Sequence, residues 1–218
     1  MGKSIIVFDL DGTLVDTAPD LGYALNQQRQ MHGLPEMPLE LIRPYASHGT
    51  VGLLQIGFAI SPDHPAFQDL RAEYLELYEQ NLNQFSALFP GMMELLDELE
   101  MRGLPWGIVT NKPARFTEPL LAQMGLDDRA ATIISGDTCA HPKPHPEPML
   151  AACREIGVLP ATCVYIGDAE RDVAAAHACG MPALIAEYGY IGPQDNPLEW
   201  GADGFIRSPT ALLEYLGY

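Results

Sequence analysis

The sequence predicts an α/β protein with a Rossmann-like core, built on a parallel sheet, and an inserted helical segment. Three observations support this prediction. An uninterrupted apolar segment lies near the start of the chain, strand and helix patterns alternate after residue 90, and no convincing strand pattern lies between about residues 31 and 85. Alternating strands and helices are typical of βαβ units, which form parallel sheets with right-handed crossovers.

The first strand is predicted over residues 4–10, because apolar side chains follow one another there without a polar interruption. Thr17 is placed to cap the next segment, a helix that runs to about Met31. A further helix is predicted over residues 66–82 from the spacing of its apolar residues. One face of that helix carries Leu70, Tyr74, Leu77 and Tyr78.

The second half of the chain alternates between helices and strands. Helices are predicted over residues 92–102, 115–124, 147–156 and 172–179. Strands are predicted over residues 106–109, 132–134, 163–166 and 183–185. A glycine follows each helix and ends it, as is common at helix C-termini: Gly103, Gly125, Gly157 and Gly180. The first strand must join this sheet, so the core is expected to comprise residues 1–15 and 86–218, and the helical insertion residues 16–85.

Charge and hydropathy limit the possible partners. The net charge of −17 argues against binding to nucleic acid or to an anionic membrane surface, whereas a small anionic substrate is compatible with a local cation. No apolar run approaches the roughly 20 residues that span a bilayer, and the first residues lack a signal-peptide pattern. A cytoplasmic protein is therefore expected.

Two carboxylates follow the first predicted strand. Asp9 and Asp11 are separated by one residue, so they leave an extended chain on the same side, and Gly12 permits a tight turn around a ligand. Acids this close repel each other when both are ionised, unless a cation lies between them. The pair indicates shared-proton chemistry or a metal site, and the alternative is a solvated Asp-Gly turn.

Polar residues also follow two later strands, at the sheet edge where ligands of such folds bind. Thr110 and Asn111 suit phosphate oxygens, with helix capping as the alternative. Asp168 follows the strand at 163–166, and Asp172 lies one turn further on the same face. Mg²⁺ favours carboxylates that bring only part of its octahedral shell. The alternative for these two acids is a helix cap and a surface residue.

Lys143 lies between two prolines, which stiffen the backbone and present its ammonium from a defined place as a point charge for phosphate. The alternative is a solvent-exposed loop lysine. His141 and His145 flank this lysine, but the neighbouring prolines exclude the helical i,i+4 geometry that two histidine ligands would use. The sequence therefore argues against a metal site at these histidines.

Four segments in this order, DLDGT, TN, the proline-flanked lysine and GDAERD, resemble the four motifs of the haloacid dehalogenase superfamily over nearly the whole chain. A helical insertion directly after the first motif is similar to the subclass that contains phosphoglycolate phosphatases and β-phosphoglucomutases. The opening DLDGTLVDTAPD and the tail over residues 188–197 resemble the phosphoglycolate phosphatase group more narrowly. The resemblance implies the haloacid dehalogenase fold, with residues 16–85 as a cap domain.

The resemblance also implies roles for the motif residues. Asp9 is the expected nucleophile and Asp11 the expected general acid and base. The residues expected to hold the phosphoryl oxygens are Gly12, Thr110, Asn111 and Lys143. Mg²⁺ would be bound by Asp9, the backbone carbonyl of Asp11 and Asp168, with Asp172 in the outer shell. The reaction implied is the hydrolysis of a phosphate monoester through an aspartyl-phosphate.

Three alternatives stay open at this point. A metal-independent 2-haloacid dehalogenase shares the fold but needs neither Asp11 nor Asp168, so both residues argue against it. A phosphomutase shares all four motifs, and only the tail argues against it. A catalytically silent phosphate-binding or regulatory protein would not need the complete set of groups. The expected partner is a small anionic phosphorylated metabolite, and the expected assembly is a monomer or a weak dimer.

Substrate choice is expected to come from the insertion, because the four motifs contact only the phosphoryl group and its attack site. Residues 43–49 are predicted as a loop between two helices that brings together Arg43, Ser47 and His48. The resemblance suggests 2-phosphoglycolate or N-acetylmuramic acid 6-phosphate, and each carries a carboxylate that a cation there could bind. The alternative is an ordinary loop in which Arg43 pairs with a surface acid. Further surface for the larger sugar is expected from Tyr45, Tyr188 and Tyr190.

Overall fold

The structure is a computed structural model and describes residues 5–218. The strands are β1 (Ile5–Phe8), β2 (Val15–Asp16), β3 (Ala87–Leu88), β4 (Trp106–Val109), β5 (Ile133–Ile134), β6 (Cys163–Gly167), β7 (Ala183–Ala186) and β8 (Gly204–Ile206). The α-helices are α1 (Ala18–Met31), α2 (Leu39–Ile42), α3 (Gly49–Phe58), α4 (Phe67–Gln80), α5 (Met92–Met101), α6 (Ala114–Met124), α7 (Glu147–Ile156), α8 (Glu170–Ala178) and α9 (Ala211–Tyr215). Short 3₁₀-helices occupy Arg43–His48, Pro160–Thr162 and Pro197–Glu199.

Six parallel strands form the main sheet in the order β5-β4-β1-β6-β7-β8. The strand β1 lies between β4 and β6, with Val7 opposite Gly107 on one side and Tyr165 on the other. Every residue of β1, β4 and β7 is buried, as expected for a parallel sheet flanked by helices. The predicted α/β class with a Rossmann-like parallel sheet is therefore confirmed. This strand order also places the carboxyl ends of β1, β4 and β6 side by side.

Internal contacts divide the chain into two units. The sheet unit contains the described residues up to Val15 and Leu88–Tyr218, and the helical unit contains Asp16–Ala87. The segments that connect the units, β2 and β3, form a separate two-stranded sheet. In the helical unit, α1 packs against α3 and α4.

Most predicted elements of the sheet unit are confirmed to within one residue, including the helices over residues 92–102, 115–124 and 147–156. The first strand ends at Phe8, so that Asp9 already belongs to the turn that follows it. Ser4, where that strand was predicted to begin, lies outside the described residues. The helix predicted to begin at Asp172 begins at Glu170, because the Asp172 carboxylate accepts a hydrogen bond from the N-cap backbone and so stabilises the preceding turn.

Several local predictions are wrong. Thr17 occupies the N-cap position of α1, but its side chain makes no capping hydrogen bond. Residues 43–48 form a 3₁₀-helix and not a loop, because Pro44 in its first turn fits helical backbone angles and needs no hydrogen-bond donor there. The strands β2, β3 and β8 and the helix α9 are too short to produce a recognisable periodicity.

Among residues 5–218, no helix combines the length and the apolar character needed to cross a bilayer.

Candidate active site

Asp9 lies immediately after the central strand β1 and is only 2% exposed. Its backbone N–H donates to the carbonyl of Ile166, and its Oδ1 accepts a hydrogen bond from the N–H of Leu10 at 2.7 Å. Burial raises the pKa of Asp9 above its usual range, and the nearby Lys143 ammonium opposes this rise. A carboxylate fixed in this way needs positive charge close to it.

The Lys143 side chain supplies that charge and is completely buried. Its Nζ lies 3.0 Å from Asp9 Oδ1 and 2.8 Å from Asp172 Oδ1. The same ammonium donates to the Val109 carbonyl at 3.0 Å and to the Tyr165 hydroxyl at 2.7 Å. The structure therefore excludes the alternative of an exposed loop lysine. Tyr165, which the sequence analysis did not identify, helps to fix the ammonium from its place on β6.

Asn111 makes a contact with Lys143 that the sequence did not predict. Its side-chain oxygen accepts from the Lys143 N–H and its amide nitrogen donates to the Lys143 carbonyl, both at 2.9 Å. The side chain thus holds the backbone of the lysine, and a contact of Asn111 with phosphate stays a prediction. Thr110 is 2% exposed, and its Oγ1 accepts from the Lys112 N–H at 3.1 Å. Helix capping by Thr110 is excluded, because Pro113 is the N-cap of α6.

Three buried aspartates meet at the ends of β1 and β6. Carboxylate oxygens of Asp9, Asp168 and Asp172 lie within 4.8 Å of one another. The N–H of Tyr190 donates to Asp168 Oδ2 at 2.8 Å, and the N–H of Ala169 donates to Asp172 Oδ2 at 3.0 Å. Three hard oxygen donors are buried together here, and the Lys143 ammonium contacts two of them, Asp9 and Asp172. Such a set suits a small divalent cation such as Mg²⁺. The donor set therefore fits the predicted metal.

Gly12 allows the chain to pass close to this cluster. Its φ is +82°, a conformation that favours glycine, and a Cβ built there would lie 2.2 Å from Asp168 Oδ2. Asp11, one residue earlier, is less buried than Asp9, with 20% of its side chain exposed. Its Oδ1 lies 2.9 Å from the ammonium of Lys112.

Two cations of the site, Lys112 and Arg171, were missed by the sequence analysis. A guanidinium nitrogen of Arg171 lies 3.9 Å from Asp9 Oδ2. Although burial works against its charged form, the surrounding aspartates raise the pKa of Arg171 above its usual value. Both residues stand inside motif segments, directly after Thr110-Asn111 and between the two aspartates of GDAERD. Their position in these segments is the sequence feature that could have identified them as residues of the site.

A second group of possible ligands lies on the loop that carries Lys143. The imidazole rings of His141 and His145 are 4.6 Å apart between centroids, and Glu147 lies within ligand distance of both. The segment over residues 141–146 is not helical, as predicted, yet its two imidazole rings lie close together. Glu147 Oε2 lies 3.0 Å from His141 Nδ1, and the Glu147 N–H donates to His145 Nδ1. These hydrogen bonds account for the arrangement of the exposed side chains.

The residues predicted for substrate choice lie on one 3₁₀-helix of the helical unit, which carries Arg43, Ser47 and His48. Arg43 donates to Asp16 Oδ1 at 2.7 Å, so the predicted alternative of a pair with an acid is present. His48 is exposed, and its ring packs edge-on against Tyr45. A cavity of about 190 Å³ in the same unit is lined by other residues, chiefly of α1.

The tail tyrosines differ from the expectation that they offer surface to a substrate. Tyr190 is 2% exposed, and its ring packs against Phe89 in the sheet unit. Tyr188 packs against the same phenylalanine at 5.0 Å, and burial raises the pKa of its hydroxyl. The tail therefore stabilises the sheet unit around Asp168, which accepts a hydrogen bond from the Tyr190 backbone.

Comparison with known proteins agrees with this geometry. The sequence model of the haloacid dehalogenase-like hydrolase family matches residues 6–186. The chain is 38% identical to an N-acetylmuramic acid 6-phosphate phosphatase of Pseudomonas aeruginosa, over 99% of this chain and 96% of the relative. It is 44% identical to a phosphoglycolate phosphatase of Xanthomonas campestris, over 96% and 94% of the two chains. The crystal structure of a predicted phosphoglycolate phosphatase from Haemophilus somnus has a TM-score of 0.85 and 27% identity, with 99% of each chain covered.

Proposed function

The chain belongs to the haloacid dehalogenase-like hydrolases and is a phosphoric monoester hydrolase, and we propose that it acts through a phosphorylated Asp9 with Mg²⁺ as cofactor. One observation carries this proposal: the buried Asp9 carboxylate lies 3.0 Å from the Lys143 ammonium at the end of β1. A phosphate monoester dianion repels an attacking carboxylate, so attack requires cations at this place.

The residues of the sheet unit account for both steps of the reaction. In the first step, a carboxylate oxygen of Asp9 forms a bond to phosphorus while the bond to the leaving oxygen breaks and Asp11 donates a proton to that oxygen. In the second step, Asp11 takes a proton from water, which attacks phosphorus and releases Asp9 and inorganic phosphate. Lys143 and Thr110 are the proposed contacts of the phosphoryl oxygens during these steps.

The proposed metal ligands are the carboxylates of Asp9 and Asp168 and the backbone carbonyl of Asp11, with Asp172 in the outer shell. Bound Mg²⁺ would supply positive charge that offsets the charge of the phosphoryl group. The buried carboxylates support this assignment, because Lys143 and the more distant Arg171 together do not balance three negative charges. A metal-independent dehalogenase would have no use for this cluster.

For the substrate, we propose a small phosphate monoester that also carries a carboxylate. The named activities of the two relatives, towards phosphoglycolate and N-acetylmuramic acid 6-phosphate, share this feature. The residues proposed to influence the choice are Arg43, Ser47 and His48 of the helical unit, which we propose acts as a cap. Arg43 carries the charge that a carboxylate needs, although Asp16 competes for it.

Replacement of the proposed nucleophile tests the mechanism. Asp9→Asn is expected to lower kcat on p-nitrophenyl phosphate to below a few per cent of wild type, because an amide cannot attack phosphorus. Circular dichroism should show an unchanged fold. Beryllofluoride mimics an acyl phosphate and should bind at Asp9 and at no other carboxylate in crystals. Substantial activity of Asp9→Asn, or beryllofluoride at another acid, would contradict the proposal.

The substrate is tested by comparing kcat/KM for 2-phosphoglycolate and N-acetylmuramic acid 6-phosphate. Arg43→Ala should then lower kcat/KM about tenfold on the preferred ester, near the lower limit for a charged hydrogen bond because of the competing Asp16. It should barely change kcat/KM on p-nitrophenyl phosphate, which lacks a carboxylate. Arg71→Ala, which removes an exposed arginine of α4, is the matched control. Equal losses on all esters would show that Arg43 only supports the helical unit.

A further inference from the structure

The sequence contains three lysines, and two of them, Lys112 and Lys143, lie in the described range. Each contacts one carboxylate of the first motif: Lys143 lies 3.0 Å from Asp9, and Lys112 lies 2.9 Å from Asp11. The Lys143 contact concerns the proposed nucleophile. The Lys112 contact concerns the proposed proton donor and has no role in the mechanism described so far.

We propose that Lys112 is a positioning residue, which holds the Asp11 carboxylate in the orientation that transfers a proton to the leaving oxygen. The proposal rests on the proposed function, since it assigns Asp11 to proton transfer. An ammonium at 2.9 Å from one carboxylate oxygen restricts rotation of the carboxylate group. Because geometry controls the efficiency of a general acid, this restriction has a kinetic consequence.

The backbone of Lys112 is anchored at both of its polar groups. Its N–H donates to Thr110 Oγ1 at 3.1 Å. Its carbonyl accepts from the Gly136 N–H at 2.8 Å and from the Thr117 hydroxyl at 3.1 Å. The side chain therefore begins from a fixed point beside the phosphate-binding segment, and its ammonium reaches Asp11 from a defined direction.

Burial distinguishes this ion pair from those on the surface. The Lys112 side chain is 5% exposed and the Asp11 side chain 20% exposed. An ammonium so far from water is stabilised only with acceptors close to it, whereas exposed pairs contribute little. The partial exposure of Asp11 leaves its carboxylate accessible to a substrate while the lysine holds it from the protein side.

A positioning role predicts that the effect of removing Lys112 depends on the leaving group of the ester. An alkoxide leaves poorly, so cleavage of an alkyl phosphate depends on the proton that Asp11 donates as the bond to phosphorus breaks. The p-nitrophenolate ion leaves as an anion without that proton. Loss of Lys112 should therefore damage the reaction of alkyl esters and largely spare that of the aryl ester. A lysine that bound phosphate, or that only supported the fold, would affect both alike.

The test measures kcat/KM, which reports on the first chemical step, for Lys112→Met with three esters. On the better of 2-phosphoglycolate and N-acetylmuramic acid 6-phosphate, both alkyl phosphates, we expect a loss of about 10- to 100-fold, a part of the 10²- to 10⁴-fold that general acid catalysis provides. On p-nitrophenyl phosphate we expect less than about a threefold change. Lys112→Arg, which keeps the cation, should recover most of the loss on the alkyl ester.

A double-mutant cycle tests the connection to Asp11. In an Asp11→Asn background, Lys112→Met should have almost no further effect on the alkyl ester, because the group that it positions is absent. Arg129→Met is the matched control, since it removes a cation from ion pairs with Asp97 and Glu100 elsewhere in the sheet unit.

Equal losses on alkyl and aryl esters, or full additivity with Asp11→Asn, would overturn the proposed role of Lys112 and leave the proposed function intact. A wild-type chain that hydrolyses none of the three esters would instead contradict the proposed function. If Lys112→Met fails to fold, Lys112→Gln and Lys112→Arg carry the same comparison, and the leaving-group dependence must appear in the glutamine variant and not in the arginine variant.

Discussion

Among the described residues, two groups of side chains in the sheet unit have atoms close enough to share a metal ion, and they differ in burial and in the contacts that hold them. The group of Asp9, Asp168 and Asp172 is buried, whereas the histidines of the group formed by His141, His145 and Glu147 are exposed. Asp9 and Asp168 lie at the ends of adjacent strands and Asp172 in the first turn of α8, whereas the histidines lie on one loop.

The difference lies in how each group is held. Backbone N–H groups donate to all three aspartates, and a buried ammonium contacts two of them. In the second group, the hydrogen bonds run within the group itself. Glu147 Oε2 accepts from Nδ1 and from the backbone N–H of His141, and the Glu147 N–H donates to His145 Nδ1. Proximity of ligand atoms alone therefore does not identify a site. Fixed orientation by the surrounding protein and an unbalanced buried charge distinguish the aspartates, and both properties depend on the sheet.

The largest effect that this comparison predicts is on the response to metal. In Asp168→Asn, activity should fall at least about 100-fold, since metal stabilisation of the transition state is worth several kcal/mol. The increase in Tm that Mg²⁺ causes in the wild type should also disappear, because a ligand that binds only the folded state raises Tm. In chelator, the Tm of the variant should equal or exceed that of the wild type, because fewer buried carboxylates then repel one another.

Glu147→Gln is the matched control, since it removes a carboxylate from the second group by the same chemical change. It should keep both the activity and the increase in Tm with Mg²⁺. Chelator should abolish wild-type activity, Mg²⁺ should restore it, and Ca²⁺ should inhibit because its coordination shell is larger and looser. Full activity in excess chelator would contradict the metal assignment and favour the metal-independent alternative.

Much of the sheet unit was predictable because its strands are buried on both faces and its helices end at glycines. The apolar residues before Asp9 identified β1, and the rule that ligands bind at the carboxyl ends of parallel strands directed attention to Asp9, Thr110 and Asp168. The strand order then brought these ends together, with β1 between β4 and β6. The location of the site thus followed from local patterns and one general rule.

The contacts inside the site were not predictable in the same way. Nothing in the sequence indicates that the Asn111 side chain binds the Lys143 backbone, or that Tyr165 of β6 contacts the Lys143 ammonium. Lys112 lies far from Asp11 in sequence, and no periodicity relates the two. Such pairings depend on side-chain geometry across strands. The 3₁₀-helix at Arg43–His48 was not predicted for another reason. Its short length gives too few repeats for a helical pattern.

The smallest effect predicted is on the second group, and it completes the comparison. The double variant His141→Ala/His145→Ala should keep kcat/KM within about twofold of wild type, because both imidazoles are exposed and belong to neither the proposed nucleophile nor the proposed metal ligands, and surface substitutions rarely change the free energy of unfolding by more than about 0.5 kcal/mol. Inhibition by Zn²⁺ in Mg²⁺-containing buffer should also be equal in the two proteins, since any inhibitory Zn²⁺ would act at the aspartates. If the double variant resisted Zn²⁺, the exposed histidines would be a genuine metal site, and burial would not separate the two groups. Asp168→Asn cannot give that answer, because it removes the activity by which Zn²⁺ inhibition is measured.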